Sequence, residues 1–357
     1  PRIRLLRSRV PPGGGGGGGG GVSSEELSAY GIDCSCYFTD NIYVRAPVEG
    51  HFDFHDVARF EQEYTEVLSP LSTRARDELL SRIRSEVARR RGAATQSALR
   101  RSQIRDAYRP LHPALWTLSE DFLHEDFVAL VRTAEGGGVP TLRPIAEGVF
   151  ALPVFTGRFC TLLCEELAHF AASGLPMGRP NSMNKAGVLL AELGLGPACL
   201  EPLLRRYLAP LCASVPALAA AGGTQLDHHK SFVVRYQLGE DEQLAAHYDN
   251  AEVTLNINLG LSFEGGELLF HGRRQRAAEP SPGPSPSPGG AAARPFWFEW
   301  GEVGCGVLHL GQQVHSALPI TEGERLNLVV WMRSARWRRE HGCPMCDQTA
   351  GLFAPVL

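Results

Sequence analysis

The chain has 357 residues, 43% of them hydrophobic and 21% charged, the balance of a soluble globular protein with room for one large or two ordinary domains. A formal charge of -4 gives no global attraction to nucleic acid or to an anionic membrane surface. Nine scattered cysteines, an odd number, argue against a secreted disulfide framework and for reduced thiols, and the longest apolar runs are too short to span a bilayer.

The first residues, "PRIRLLRSRV", are basic but lack the apolar core of a secretory signal. The sequence begins at Pro1 and not at Met, so the expected location, cytoplasmic or nuclear, rests on the visible residues alone. Residues 1–25 contain "PPGGGGGGGGG", which cannot offset its ordering entropy by burial and is expected to be a disordered tail. Residues 26–148 read as mainly helical. Within them 72–109 form an Arg-rich helix, capped by Ser72 or Thr73, with Leu79, Leu80, Ile83 and Val87 at helical spacing and Gly92 as a stop. From Arg74 to Arg109 there are eleven arginines and four acids. This is either a solvated helical face or a surface for phosphate or an acidic partner. A second helix starts near Thr156, where Phe159, Leu163, Leu167 and Phe170 make one apolar face and Gly174 ends it.

After residue 226 the apolar period changes from 3.6 to 2. Ser231–Leu238, Glu252–Leu259, Gly266–His271, Phe296–Trp300, Cys305–Leu310 and Arg325–Met332 read as short strands, and Gly265-Gly266 as a tight turn. Residues 277–294, "AAEPSPGPSPSPGGAAAR", are expected to be a disordered insert between two of them. Many short strands, with helices before and not between them, predict an α+β protein whose core is an antiparallel sandwich or jelly roll.

The motif His-x-Asp occurs at His51/Asp53, His124/Asp126 and His247/Asp249, where about one chance match is expected. Only the third lies between two clear strands. In a strand, residues i and i+2 point to one side, so His247 and Asp249 can converge on one ion. The alternative is a solvated turn. Downstream histidines that could add a third ligand are His271, His309, His315 and His341. His315 is followed ten residues later by Arg325, which shares a strand face with Asn327 and Val329. If that face is covered, the guanidinium needs an anion, and a bound carboxylate is a sensible one. Two histidines and a carboxylate with open positions are the ligand set of non-haem Fe(II) oxygenases. Zinc hydrolases use a similar set, commonly through H-E-x-x-H, which is absent.

The segments "FVVRYQLGEDEQLAAHYDNAEVTLNINLG", "FEGGELLF" and "GCGVLHLGQQVHSALPITEGERLNLVVW" resemble the catalytic core of the Fe(II)- and 2-oxoglutarate-dependent dioxygenases, the prolyl and lysyl hydroxylases among them, over Phe232 to Arg333. "PNSMNKAGVLL", "HYDNAEVTLN" and the terminal "CPMC" resemble one narrower branch, which extends the match back through "PVFTGRFC" and on to Cys346. The resemblance implies a double-stranded β-helix (jelly-roll) domain over 149–335, with its catalytic core at 226–335. It implies that His247, Asp249 and His315 hold Fe(2+) and that Arg325 binds the distal carboxylate of 2-oxoglutarate. Tyr236 and Asn256 are implied as further cosubstrate contacts, with Asn327 contacting the cosubstrate or bracing Arg325. The implied reaction consumes O2, decarboxylates 2-oxoglutarate to succinate and hydroxylates a C–H bond, with L-ascorbate as reductant and no catalytic residue beyond the metal centre. The hydroxylase relatives point to a protein Lys or Pro as substrate.

Three features stand outside that reading. Residues 336–357 carry Cys343 and Cys346, which are inert thiols, a redox pair or half a zinc site that Cys34 and Cys36 could complete. His228 and His229 are adjacent, so they point opposite ways and are expected at the surface. A non-catalytic jelly-roll binding module that works through its Arg-rich helix, with a protein or RNA partner, is the alternative to an enzyme.

Overall fold

The computed structural model describes residues 41–44, 46–48, 50–260, 262–274, 295–341, 344 and 354–356. The glycine tract, the Pro/Ser insert and Cys34, Cys36, Cys343 and Cys346 lie outside the described residues.

A hairpin of β1 (Asn41–Val44) and β2 (Gly50–Asp53) packs with the start of α1 (Thr73–Ala107). Ile42, Phe52, Phe60, Leu79 and Ile83 form a small separate core there. His51 and Asp53, expected away from any strand, therefore sit on β2. Ser72 caps α1 by accepting from the Ala75 amide at 3.3 Å. Gly92 does not end the helix, contrary to expectation. A glycine costs a helix only about 1 kcal/mol, and the two ends are held apart from each other. Leu79 and Ile83 anchor one in the small core, and Ile104 anchors the other in the main core. Between them, Glu192 takes hydrogen bonds from Ser97 at 2.7 Å and Arg100 at 2.6 and 2.8 Å. Arg82, Arg89 and Arg90 pair with Glu78 and Glu86 on the same helix.

His124 is the N-cap of α2 (Glu125–Glu135), its Nδ1 accepting from the Asp126 amide at 3.2 Å. The second His-x-Asp match is thus a helix cap. The next helix, α3 (Gly157–Ala172), is capped by Thr156 and buries Phe159, Leu163, Leu167 and Phe170 as its spacing predicts.

Two sheets follow. The larger contains β3 (Arg143–Ala146), β4 (Val149–Pro153), β5 (Gly187–Leu189), β6 (His228–Gln237), β8 (Val253–Gly260), β12 (Cys305–Leu310) and β14 (Ile320–Arg333), in the order β3-β4-β12-β8-β14-β6-β5, with β9 (Phe263–Gly265) pairing to β14. The smaller has the order β11-β10-β13-β7-β15, from β7 (Leu244–Asp249), β10 (Leu268–Arg273), β11 (Phe296–Phe298), β13 (Gln313–Ala317) and β15 (Ala354–Val356). All pairs are antiparallel except β15 with β7. Three strands of the larger sheet, β3, β4 and β5, precede residue 226, so the strands are not confined to the C-terminal part as expected.

The larger sheet is covered on both faces. Leu255, Ile257, Leu308, Leu326, Leu328, Val330 and Met332 face α2, α3 and the short helical turns of 190–219. Phe232, Val234, Val329 and Trp331 face Leu268, Phe270, Phe298 and Ala317 of the smaller sheet. Double coverage explains a further correction. His228 and His229 are 2% and 3% exposed, not at the surface. β6 begins three residues earlier than the alternation suggested, and adjacent residues that point opposite ways both meet protein. The histidine and aspartate of interest also differ from expectation. They close a strand of their own, β7, and do not lie between strands. Among the described residues five cysteines are unpaired thiols, and burial pushes Cys160, Cys199 and Cys212 up to about 12.

Candidate active site

β7 and β13 are neighbours in the smaller sheet, and their register sets His247 directly opposite His315. Asp249, two residues on, points to the same side. One donor atom from each of the three lies within 4.8 Å of the others, and all three side chains are buried. The imidazoles share a local device. His247 Nδ1 donates to the Ala245 carbonyl at 2.7 Å and His315 Nδ1 to the Gln313 carbonyl at 2.9 Å. Each bond goes back two residues, fixes the ring and leaves Nε2 as the free donor atom. The Nε2 atoms stand 3.7 and 4.0 Å from the Asp249 carboxylate. Asp249 Oδ2 accepts from Thr254 at 2.7 Å.

Burial raises the Asp249 pKa, against the pull of His315 and Thr254, and burial with the neighbouring His315 drives His247 well below its usual range. Burial pushes both groups toward their neutral forms. A divalent ion reverses that pressure. Two neutral imidazole nitrogens and one carboxylate are donor types that iron(II) accepts, so the residues present fit the ion. His309 adds a third imidazole nearby, 4.9 Å from His315 between centroids, with Nε2 3.9 Å from Asp249. Burial, and then His315, push it down to about 3.

The three donors open into a cavity between the sheets, which is also lined by Tyr236, Asn256, Arg325 and Asn327. Arg325 is 1% exposed, and no described carboxylate is within ion-pair reach of it. It donates to the Gly266 carbonyl and lies 4.2 Å over the Tyr236 ring and 5.3 Å from the Trp300 ring, while its Nε meets no acceptor. Burial lowers its pKa, opposed by Tyr236 and then by Glu267 at longer range. Tyr236 is its cross-strand partner on β6. Asn327 Nδ2 donates to Asn256 Oδ1 at 2.8 Å, so this pair belongs to one side of the cavity and links β14 to β8. A buried, weakly paired cation at one end and three convergent donors at the other suit an anionic ligand that also reaches a metal.

A family model described as OGFOD2-like domain matches residues 104–217. The 2-oxoglutarate and iron-dependent oxygenase domain-containing protein 2 of Xenopus tropicalis is 39% identical over 324 residues, 88% of each chain. The human protein of the same name is 39% identical over 325 residues, again 88% of each. The chain belongs to the family of 2-oxoglutarate and iron-dependent oxygenase domain-containing protein 2. A solved prolyl hydroxylase from Trichoplax adhaerens, in complex with a hypoxia inducible factor peptide fragment, aligns with a TM-score of 0.39 at 14% identity, over 62% of this chain and 99% of that one.

All seven residues singled out from the sequence line the one cavity. For this member of the oxygenase family the sequence reading passed over Trp331, Phe232, Leu268, Asn181 and Asn184, which line it too. Trp331 was within reach, because it continues the Arg325, Asn327, Val329 alternation. Asn181 and Asn184 lie in the loop before β5, where no period signals a direction.

Proposed function

We propose that the protein is an Fe(II)- and 2-oxoglutarate-dependent dioxygenase that hydroxylates a C–H bond while converting 2-oxoglutarate to succinate and carbon dioxide. The observation that carries this reading is the pairing of His247, Asp249 and His315 with Arg325, a buried cation with no carboxylate partner among the described residues, in one cavity. The two facing sheets with the donor strands β7 and β13 side by side support a double-stranded β-helix (jelly-roll) architecture for 149–335.

His247 Nε2, Asp249 and His315 Nε2 would hold the iron, which when bound supplies the activation of dioxygen and the oxidation of 2-oxoglutarate. Arg325 neutralises the distal carboxylate and sets how far the oxo-acid end reaches toward the metal. Tyr236 packs the guanidinium in place, and the Asn327–Asn256 pair holds the wall beside it. Phe232, Val234, Leu268 and Val329 give the cavity apolar walls that help to exclude water. Ascorbate is the expected reductant when turnover runs without substrate. A protein Lys or Pro is the substrate class this reading favours. Among the described residues no helix is long and apolar enough to cross a membrane.

The test needs no substrate. Purified protein loaded anaerobically with Fe(II) is given 2-oxoglutarate and dioxygen, and succinate is measured with Asp249→Ala and Arg325→Ala alongside. Succinate in the wild type and none in either variant supports the reading. Absence of both succinate and calorimetric binding of Fe(II) and 2-oxoglutarate in the wild type sinks it. Turnover of a hydrolysable substrate without dioxygen or 2-oxoglutarate would point to zinc chemistry instead.

A further inference from the structure

One polar group in the cavity is used neither by the fold nor by the reaction as described. Asn184 is 1% exposed, lines the cavity, and its Nδ2 meets no hydrogen-bond acceptor among the described residues. The orientation of its amide is set from behind. Asn181 Oδ1 accepts the backbone amides of Met183 at 2.9 Å and Asn184 at 2.7 Å, and Asn181 Nδ2 donates to Asn184 Oδ1 at 2.9 Å. The carbonyl end of Asn184 is thereby held by Asn181, and the NH2 end is left facing the cavity.

The backbone that follows is tied down. Asp241 Oδ2 accepts from the amides of Lys185 at 2.6 Å and Ala186 at 3.0 Å, and the Arg235 amide donates to Ala186. β5 then begins, with Gly187 opposite Val234 of β6. Tyr236 is two residues further along β6 and directly opposite Arg325. Asn184 thus stands at the Arg325 end of the cavity. Asn184 and Tyr236 line the same cavity. A buried NH2 group without an acceptor is costly, and an anionic oxygen placed in the cavity removes that cost.

We propose that Asn184 is a ligand-positioning residue whose Nδ2 donates to the carboxylate that Arg325 neutralises, so that the distal end of the pocket selects a five-carbon oxo-dicarboxylate by two donors and not by charge alone. The inference rests on the 2-oxoglutarate reading above. Asn181 acts through Asn184 by holding its amide in register.

The experiment is calorimetric titration of Mn(II)-loaded protein with 2-oxoglutarate and with 2-oxobutyrate, which lacks the distal carboxylate. Wild type, Asn184→Ala and Asn184→Asp are compared. The 2-oxoglutarate Kd is expected to rise about tenfold in the alanine variant, as for loss of one hydrogen bond to a charged group. It rises further in the aspartate variant, where two carboxylates would face each other. Binding of 2-oxobutyrate and of Mn(II) stays at the wild-type level. If 2-oxoglutarate affinity is unchanged in both variants, or both oxo acids weaken alike, Asn184 only braces its loop and the proposal is overturned. Should the alanine variant fail to fold, the aspartate variant, equal in volume, decides. A Mn(II)-loaded wild type that does not bind 2-oxoglutarate overturns the cosubstrate reading and this inference with it.

Discussion

The two buried histidines at the start of β6 make the stability of this protein depend on pH. Burial pushes His228 down to about 3, with Arg333 and Arg338 adding to it against the Asp227 hydrogen bond, and burial with Arg333 and Arg205 pushes His229 down to about 4. The unfolded chain binds these protons near pH 6.5. As pH falls, the unfolded state is therefore protonated first. The stability that both residues contribute is present above pH 6.5 and is lost as pH falls toward the folded values. Between pH 7.5 and 5.5 both folded pKa values stay well below the window, so the loss depends only on the unfolded value. It is about 1.4 kcal/mol for each histidine and about 3 kcal/mol for the pair. The assay is equilibrium urea denaturation at the two pH values in excess chelator, so that metal binding does not enter. The comparison protein is His228→Asn with His229→Asn, which keeps a polar atom near each Nδ1 but does not titrate. Other titrating groups are common to both proteins and cancel in the difference. The wild type should lose about 3 kcal/mol more than the variant. Equal losses would refute the assignment of buried neutral histidines at these positions.

Two further predictions concern the Arg325 end of the cavity. Arg325→Met removes a buried guanidinium that has no carboxylate partner among the described residues, so the ligand-free protein should gain about 1 kcal/mol of stability while 2-oxoglutarate binding weakens by roughly 30-fold or more. Melting curves with and without 2-oxoglutarate check both, and a variant that is less stable yet binds normally would contradict the electrostatic argument. Gly266 has φ +71°, and a Cβ there would come within 2.7 Å of an Arg325 guanidinium nitrogen. Gly266→Ala should cost about 1–2 kcal/mol in backbone strain and weaken 2-oxoglutarate several-fold. Mn(II) binding should be untouched, and a parallel loss of Mn(II) in calorimetry would show that the disturbance is not confined to Arg325.

Much of the site was legible because strands have a period of two. Once Arg325 is placed on a strand, Asn327, Val329 and Trp331 share its face and Leu326, Leu328 and Val330 take the other, whichever sheet they join. The i, i+2 spacing likewise puts His247 and Asp249 on one side. Cross-strand register is a different matter. That His315 falls opposite His247, and Tyr236 opposite Arg325, depends on which strands pair, and pairing partners are chosen by the packing of both sheets together. His228 and His229 are buried for the same reason. Local alternation reports two faces, but only the assembled layers decide that neither face meets water.

Gly92 and Asn184 mark the limit of local reasoning most clearly. A glycine in an Arg-rich helix reads as a stop, yet two cores at opposite ends of α1 outweigh its propensity. Asn184 sits in a loop without periodicity, and its amide gains a direction only from Asn181 behind it. The amino-acid sequence by itself determined the donor types and their spacing along each strand, because these depend on neighbours within a few residues. The tertiary structure alone decided which donors meet, which cation is left without a carboxylate and which amide faces the cavity, because each of these depends on contacts between segments far apart in the chain.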